Sequence, residues 1–338
     1  MPQTAPPDEE RVQAYFRHRM PEAADLRVTN LHRNVGGMSR ETWFADLQWV
    51  EDGATREESY IIRADHPDGS VVPHPLEREF KIHAALQHTD LPVARPYWYE
   101  EDVSWIGRAP FYVREALEGT SAPKELYAPG KEERRRRIGR QLAELLARVH
   151  TCDWEAAGFG SFMAVPETAE DCALLELSFW EQVFRADRPE AKPVMAELFS
   201  WLRRNAPRDV ERVSLVWGDV GVGNFIYRDD EIVGLTDWEQ GHLGDAMKDI
   251  AFALWRGLDH LIPREELFEV YEAAGGPKID QERIHYYTVF INAENCSTSD
   301  HALKGFLQGR NADITMARLT LGFPWQCQDQ GLREIGYG

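Results

Sequence analysis

Apolar positions first recur at helical spacing between residues 8 and 20. In DEERVQAYFRHRM, Val12, Tyr15 and Phe16 fall at i, i+3 and i+4, and Pro21 ends the run. The period then changes. LRVTNLHRNV (26–35), TWFADLQWV (42–50) and SYIIRADHP (59–67) are short and rich in β-branched and aromatic residues. Gly36-Gly37 separates the first two and EDGAT (51–55) the next, which predicts three strands joined by turns. Pro73 and Pro75 precede LEREFKIHAALQH (76–88), where Leu76, Phe80, His83 and Leu86 share roughly one helical face. VARPYWYE (93–100) and APFYVREAL (109–117) predict two further strands.

From Glu118 onward the pattern is mainly helical. Ile138, Leu142, Leu145, Leu146 and Val149 carry the apolar face of 132–150, and 173–184 and 194–207 are further amphipathic segments. VSLVWGD and NFIYRDDEIVGLTDWE form a short β region with a turn at Asp229-Asp230. The stretch 245–321 is helical again, and the tail FPWQCQDQGLREIGYG reads as irregular. The expected class is therefore α+β. A small five-stranded antiparallel β lobe with one helix (1–117, including the N-terminal helix 8–20) precedes a larger helical lobe (118–338), the join lying near Leu117–Glu118. A cleft between such lobes commonly takes a small ligand.

Composition narrows the function classes. The 338 residues are 43% hydrophobic and 28% charged, ordinary globular usage that excludes global disorder. Thirty-eight basic against 57 acidic residues give −19, which repels polyanions, so no nucleic-acid partner is expected. The start MPQTAPPDEE has no basic-then-apolar secretion pattern, and no run approaches a membrane span; a cytoplasmic protein without membrane contact is expected. Cys152, Cys172, Cys296 and Cys327 form no CxxC pair and read as reduced thiols. The run Arg134–Arg137 reads as a solvated helix surface balanced by nearby acids.

The chemistry concentrates in VWGDVGVGNFIYRDDEIVGLTDWEQGHLGD, residues 216–245. Asp219, Asn224 five positions later and Asp237 place three oxygen-bearing side chains on loops at the ends of short strands. Mg²⁺ takes one or two such ligands plus substrate phosphates. Phosphoryl transfer needs that ion together with a group that orients and deprotonates the acceptor hydroxyl. One Asp for the hydroxyl, with an Asn and a second Asp for the metal, is the minimum set. Asp245 and Asp249 in GDAMKDIAF read as helix-start residues. The Gly221/Gly223 pair is not followed as a dinucleotide fingerprint would be, and no serine-hydrolase order is present.

The ordered set Trp217-Gly218-Asp219, Asn224, Thr236-Asp237-Trp238-Glu239, Gly244-Asp245 and Asp249 resembles the aminoglycoside phosphotransferase and choline kinase-like family. The resemblance covers about residues 26–255 and implies a protein-kinase-like two-lobed fold. It implies Asp219 as the catalytic residue, Asn224 and Asp237 as metal ligands, and ATP (GTP possible) with Mg²⁺ as cofactors. Gly36, Gly37 and Ser39 in HRNVGGMSRETW correspond to the nucleotide-covering turn. Arg63 stands where kinases place a phosphate-binding Lys; Glu79 is its natural partner and Glu77 the runner-up. The backbones of Glu115 and Leu117 would meet the base, with Arg114 where that family has an apolar residue such as Met. Main-chain recognition leaves no residue-type signature, so the choice of nucleotide is unreadable.

Trp217 replaces the family's His and reads as structural packing. His150 would pack against or bond the catalytic loop, and His242 reads as an exposed loop residue. Arg63 and the WGD sequence are similar to a bacterial branch resembling acyl-CoA dehydrogenase-linked phosphotransferases. The expected activity is a small-molecule kinase, an O-phosphotransferase acting on a hydroxyl such as that of a hydroxyacyl-CoA or another hydroxyl metabolite. Two alternatives stay open: an aminoglycoside-type antibiotic phosphotransferase, for which Asp259, Glu265, Glu266 and Glu269 are candidate acceptor-wall acids, and a non-catalytic nucleotide-binding scaffold. A metal-carboxylate hydrolase is a third class, but it leaves the β lobe unexplained.

Overall fold

In the computed structural model, residues 6–34, 40–65, 71–187, 192–308 and 318–337 are described. Helix α1 (Glu9–Arg19) starts where the Asp8 side chain accepts the Arg11 N–H, and it buries Val12, Tyr15 and Phe16. Those residues close one face of an antiparallel sheet formed by β1 (Ala24–Arg33), β2 (Arg40–Glu51), β3 (Ala54–Asp65), β4 (Pro96–Glu100) and β5 (Phe111–Glu115), in the order β1-β2-β3-β5-β4. The β2–β3 hairpin turns at Asp52-Gly53, both at positive φ, which matches the twist of the paired strands. The twofold alternation sends Ala45, Leu47, Tyr60, Ile62, Phe111 and Val113 into a core with α1. The opposite face carries Thr42, Ile61, Arg63, Tyr112 and Arg114, with Arg63 opposite Thr42 and Tyr112, and Ile61 opposite Arg114.

Helix α2 (Leu76–Leu86) is shared between two surroundings. Phe80 lies against Tyr99 and Tyr112 of the sheet. Ile82, Ala85 and Leu86 belong instead to the main apolar interior, with Leu142, Leu146, Trp217 and Trp238. Ile82 lies beside Gly241, whose carbonyl accepts from Arg78 (2.6 Å).

The rest is helical: α3 (Pro123–Leu126), α4 (Glu132–Thr151), α5 (Asp171–Asp187), α6 (Pro193–Arg204), α7 (Met247–Trp255), α8 (Arg264–Ala273), α9 (Gln281–Leu307) and α10 (Phe323–Glu334). Two small ladders interrupt it, β6 (Ser214–Val216) with β9 (His242–Gly244) and β7 (Phe225–Arg228) with β8 (Glu231–Leu235). The arginine run is the solvated surface expected: Arg134 and Arg137 pair with Asp230, and Arg136 pairs with Glu266. All four cysteines are free. No helix among the described residues is long and apolar enough to cross a membrane.

Two expectations are corrected. The tail is not irregular: α10 begins with Pro324 in its first turn, where the missing N–H breaks no helical bond. It buries Cys327, Gln328 and Gly331, with Gly331 against Leu198 and Asn292; the sparse apolar pattern hid a helix that seats through small and polar residues. His242 is not an exposed loop residue but a buried member of β9.

Candidate active site

The loop from Trp217 to Asn224 joins β6 to β7, and its shape is fixed from behind by Asp249. That carboxylate is fully buried and accepts the N–H of Trp217 (2.7 Å) and of Gly218 (2.8 Å). His150 lies 3.0 Å from the same carboxylate and 2.6 Å from the Tyr271 hydroxyl. Because the carboxylate only accepts, His150 donates its Nε2–H to Asp249, and Nδ1 of the neutral ring accepts the Tyr271 O–H. Asp249 is thus a loop anchor rather than the helix cap that its position suggested; Asp245 does cap, accepting the Met247 N–H (3.0 Å). His150 supports the loop at one remove.

Gly218 is needed here. Its φ is +90°, and a Cβ would lie 2.5 Å from the Gln240 carbonyl oxygen. Trp217 is packing, as expected: it is buried, lies 5.6 Å from Trp238 between ring centres, and donates its indole N–H to the Thr236 carbonyl (2.8 Å).

The anchored loop presents Asp219. Burial, aided by Asp237 and Asp249, raises its carboxyl above the ordinary value, while Arg256 acts the other way. Arg256 holds Oδ1 at 3.1 Å. Asn224 donates its amide to the Asp219 carbonyl (2.8 Å), which turns its own Oδ1 away from that bond. Thr236 donates its N–H to the Asn224 carbonyl (2.8 Å), and so ties the segment carrying Asp237 to this loop. Asp237 sits at φ +56°.

Across the cleft, Arg63 reaches Asp237 (Nη1–Oδ1, 3.1 Å) and Glu79 (Nε–Oε1, 3.0 Å). Glu79 is the partner; Glu77 pairs with Lys81 on the exposed side of α2. Glu79 also accepts from the Tyr112 hydroxyl (2.8 Å) and from Arg40. Burial opposes its ionisation, but Arg63 and Arg40 outweigh it and hold the carboxyl near 2. Glu239 lies 3.7 Å from Arg63 and 3.8 Å from Arg40, and burial with the neighbouring carboxylates raises it.

Arg40 was missed by the sequence reading. It heads β2 directly opposite Asp65, and it shares Glu79 with Arg63 because α2 packs beside this end of the sheet. Arg256 was missed as well, seven residues past Asp249 and turned back onto the loop.

At the other end of the cleft, Glu115 donates its N–H to the Arg95 carbonyl (2.9 Å) and Ala116 donates its own to Ser59 (3.2 Å). A cavity of about 930 Å³ opens beside this segment, lined by Asp46, Ser59, Glu115, Leu117 and Arg228 among others. Arg114 is buried with its Nη1 3.3 Å from the Glu115 carbonyl oxygen. Gly36, Gly37 and Ser39 lie outside the described residues. On the helical side, Lys248 pairs with Glu294 (3.1 Å), both buried, and burial raises the Glu294 carboxyl to about 7. Of the suggested acceptor-wall acids, Glu266 is taken by Arg136 and Arg140 on the outer surface.

The donors Asn224 and Asp237 are too few for an all-protein cage. They suit an ion that keeps water and phosphate ligands, which is the habit of Mg²⁺. Among the described residues no group of three or more His, Cys, Asp or Glu forms a metal cluster.

Comparison with known proteins gives a consistent picture. The profile of the phosphotransferase enzyme family matches residues 31–286. The chain is 32% identical over 220 residues to acyl-CoA dehydrogenase family member 10 of Mus musculus, covering 62% of this chain and 20% of that protein. It is 29% identical over 247 residues to acyl-CoA dehydrogenase family member 11 of Mus musculus, covering 71% and 30%. The chain therefore spans a third or less of the length of these curated relatives. Among solved structures, a candidate aminoglycoside phosphotransferase of Ralstonia eutropha superposes with a TM-score of 0.70 at 23% identity, covering 97% of this chain and 98% of that one. An aminoglycoside phosphotransferase in ternary complex with ADP and hygromycin B gives 0.61 at 14%, covering 97% and 98%. These likenesses show the kinase-like fold.

Proposed function

The chain belongs to the phosphotransferase enzyme family, and from that premise we propose that it transfers the γ-phosphoryl group of a nucleoside triphosphate to a hydroxyl of a small molecule. The observation that carries this reading is the convergence of Asp219, Asn224 and Asp237 on one wall with Arg63 and Glu79 on the other, joined by the 3.1 Å Arg63–Asp237 contact. Asn224 and Asp237 would hold Mg²⁺, which when bound neutralises charge on the phosphates. Arg63, fixed by Glu79, offers a planar fork to phosphate oxygens. Arg256 holds Asp219 Oδ1, so Oδ2 receives the proton of the acceptor hydroxyl as its oxygen attacks the γ-phosphorus, and the bond to the bridging oxygen breaks to release the nucleoside diphosphate. The Asp249 clamp keeps that carboxylate in place. Leu117 and Glu115 offer main-chain groups to the base.

For the acceptor we favour a hydroxyacyl-CoA or a related hydroxyl metabolite. The curated relatives are named as acyl-CoA dehydrogenase family members. The side chain resting on Asp219 is a cation, Arg256, which a polycationic aminoglycoside would meet first.

The test is nucleoside diphosphate release in the presence of Mg²⁺, with one panel of hydroxyacyl-CoA thioesters and one of aminoglycosides. Asp219→Asn should lower kcat by about 10²–10⁴-fold and leave nucleotide binding in place. Tight nucleotide binding with no acceptor-stimulated release would instead leave the non-catalytic scaffold as the better reading. Turnover of aminoglycosides alone would reassign the acceptor.

A further inference from the structure

Arg114 is a buried guanidinium without a carboxylate. Among the described residues it has no ion-pair partner; its one hydrogen bond is the 3.3 Å contact from Nη1 to the Glu115 carbonyl, and its buried Nε–H has no acceptor. It lies on the cleft-facing side of β5, opposite Ile61 and two residues from Tyr112. Its charge reaches His83 on α2, which is held neutral at about 3 first by burial and then by Arg114. A buried cation with unspent donors is costly unless an acceptor reaches it.

We propose that Arg114 reads the purine base and selects a guanine over an adenine nucleotide. This rests on the nucleotide site proposed above and specifies it. Within the nucleotide site proposed above, the Glu115 carbonyl is the acceptor offered to an adenine amino group, and Arg114 already donates to it. An adenine placed there sets its N6 amine against a guanidinium, donor facing donor. Guanine offers two acceptors on the same edge, O6 and N7, and the fork of an arginine bonds that pair side by side. The contact would supply the acceptor that the buried Nε–H lacks.

Isothermal titration of the intact chain with GDP, IDP and ADP in the presence of Mg²⁺ tests this. The wild type should bind GDP at least about tenfold more tightly than ADP. IDP, which keeps O6 and N7 but lacks the 2-amino group, should side with GDP. Arg114→Met should move the GDP:ADP ratio toward ADP by about tenfold. Arg114→Lys, which keeps the charge without the fork, should fall between. Thermal melts establish that both variants fold. Wild-type ADP binding equal to or tighter than GDP, or a ratio unmoved by Arg114→Met, overturns the base reading and leaves the phosphotransferase intact. Binding of none of the three nucleotides removes the nucleotide site, and the base reading with it.

Discussion

Replacing Glu79 with Gln tests the centre of the polar cleft. The carboxylate is 1% exposed and serves Arg63, Arg40 and the Tyr112 hydroxyl together. Gln keeps the shape and one acceptor oxygen but leaves two buried guanidinium groups sharing Asp65, Asp237 and Glu239. A carboxyl held at about 2 in place of 4.5 contributes on the order of 3 kcal/mol at neutral pH. Breaking a buried ion pair by removing one partner costs about 3–5 kcal/mol, so the two routes agree. For a chain of 338 residues, an unfolding entropy of about 2.1 cal/mol/K per residue converts 3 kcal/mol into a Tm lower by about 4 °C. The pH dependence has a definite sign. The native carboxyl is depressed, so its contribution is complete above about 4.5 and fades as the pH falls toward 2. The Glu79 contribution to the gap between calorimetric scans of wild type and variant should therefore hold from pH 8 to 5 and fade below that. Nucleotide KM should rise in parallel, because Arg63 loses its anchor. A Tm within 1 °C of wild type at pH 7, or a gap that widens below pH 5, would contradict this role of Glu79.

Three further outcomes are expected. Glu294→Gln removes a carboxyl that burial raises to about 7; a raised carboxyl favours the fold at low pH and loses that advantage as pH rises through 7, so the variant's Tm relative to wild type should be more favourable at pH 8 than at pH 5. Gly218→Ala places a Cβ 2.5 Å from the Gln240 carbonyl oxygen at φ +90°, and should cost more than about 2 kcal/mol in urea unfolding and abolish activity. Asp249→Asn has one acceptor oxygen for two backbone N–H groups and should cost about 1–3 kcal/mol. It should lower kcat far more than it changes nucleotide KM, since Asp249 acts through the Asp219 loop.

What could be read in advance followed from short-range pattern. The β-rich runs at 42–50 and 59–67 are strands β2 and β3, whereas the cleft-facing placement of Arg63, opposite the side that buries Ala45, Leu47, Tyr60 and Ile62, came from the family resemblance and not from the pattern. The spacing of Asp219, Asn224 and Asp237 placed them on loops that the ladders β6–β9 and β7–β8 do bring together. What was missed depends on contacts between distant segments. Arg40 reads as an ordinary strand-end cation until α2 brings Glu79 beside it, and Arg256 reads as a helix-end cation until α7 turns it onto Asp219. Asp249 satisfies the statistics of a first-turn acid, and nothing local says that it reaches back 31 and 32 residues to two backbone amides. Helix α10 fails a pattern search because the residues it buries are Cys, Gln and Gly.

The divided packing of α2 also sets an order for folding during synthesis. The core between α1 and the sheet draws only on residues up to Val113, so it can close once β5 has left the ribosome. Ile82 and Leu86 belong instead to the interior that also holds Leu142, Trp217 and Trp238. Trp217 and Trp238 follow Val113 by more than a hundred residues, so over that stretch of elongation the apolar side of α2 is incompletely covered beside a finished sheet, a window in which a nascent chain is open to chaperone capture or aggregation. One late partner is the turn around Gly241, which Ile82 and Arg78 meet and which follows Asp237 by four residues. Covering of α2 and assembly of the phosphate-facing cleft therefore draw on the same late segment, and a destabilised 238–241 turn should show as poor yield of nascent protein as well as a lowered rate.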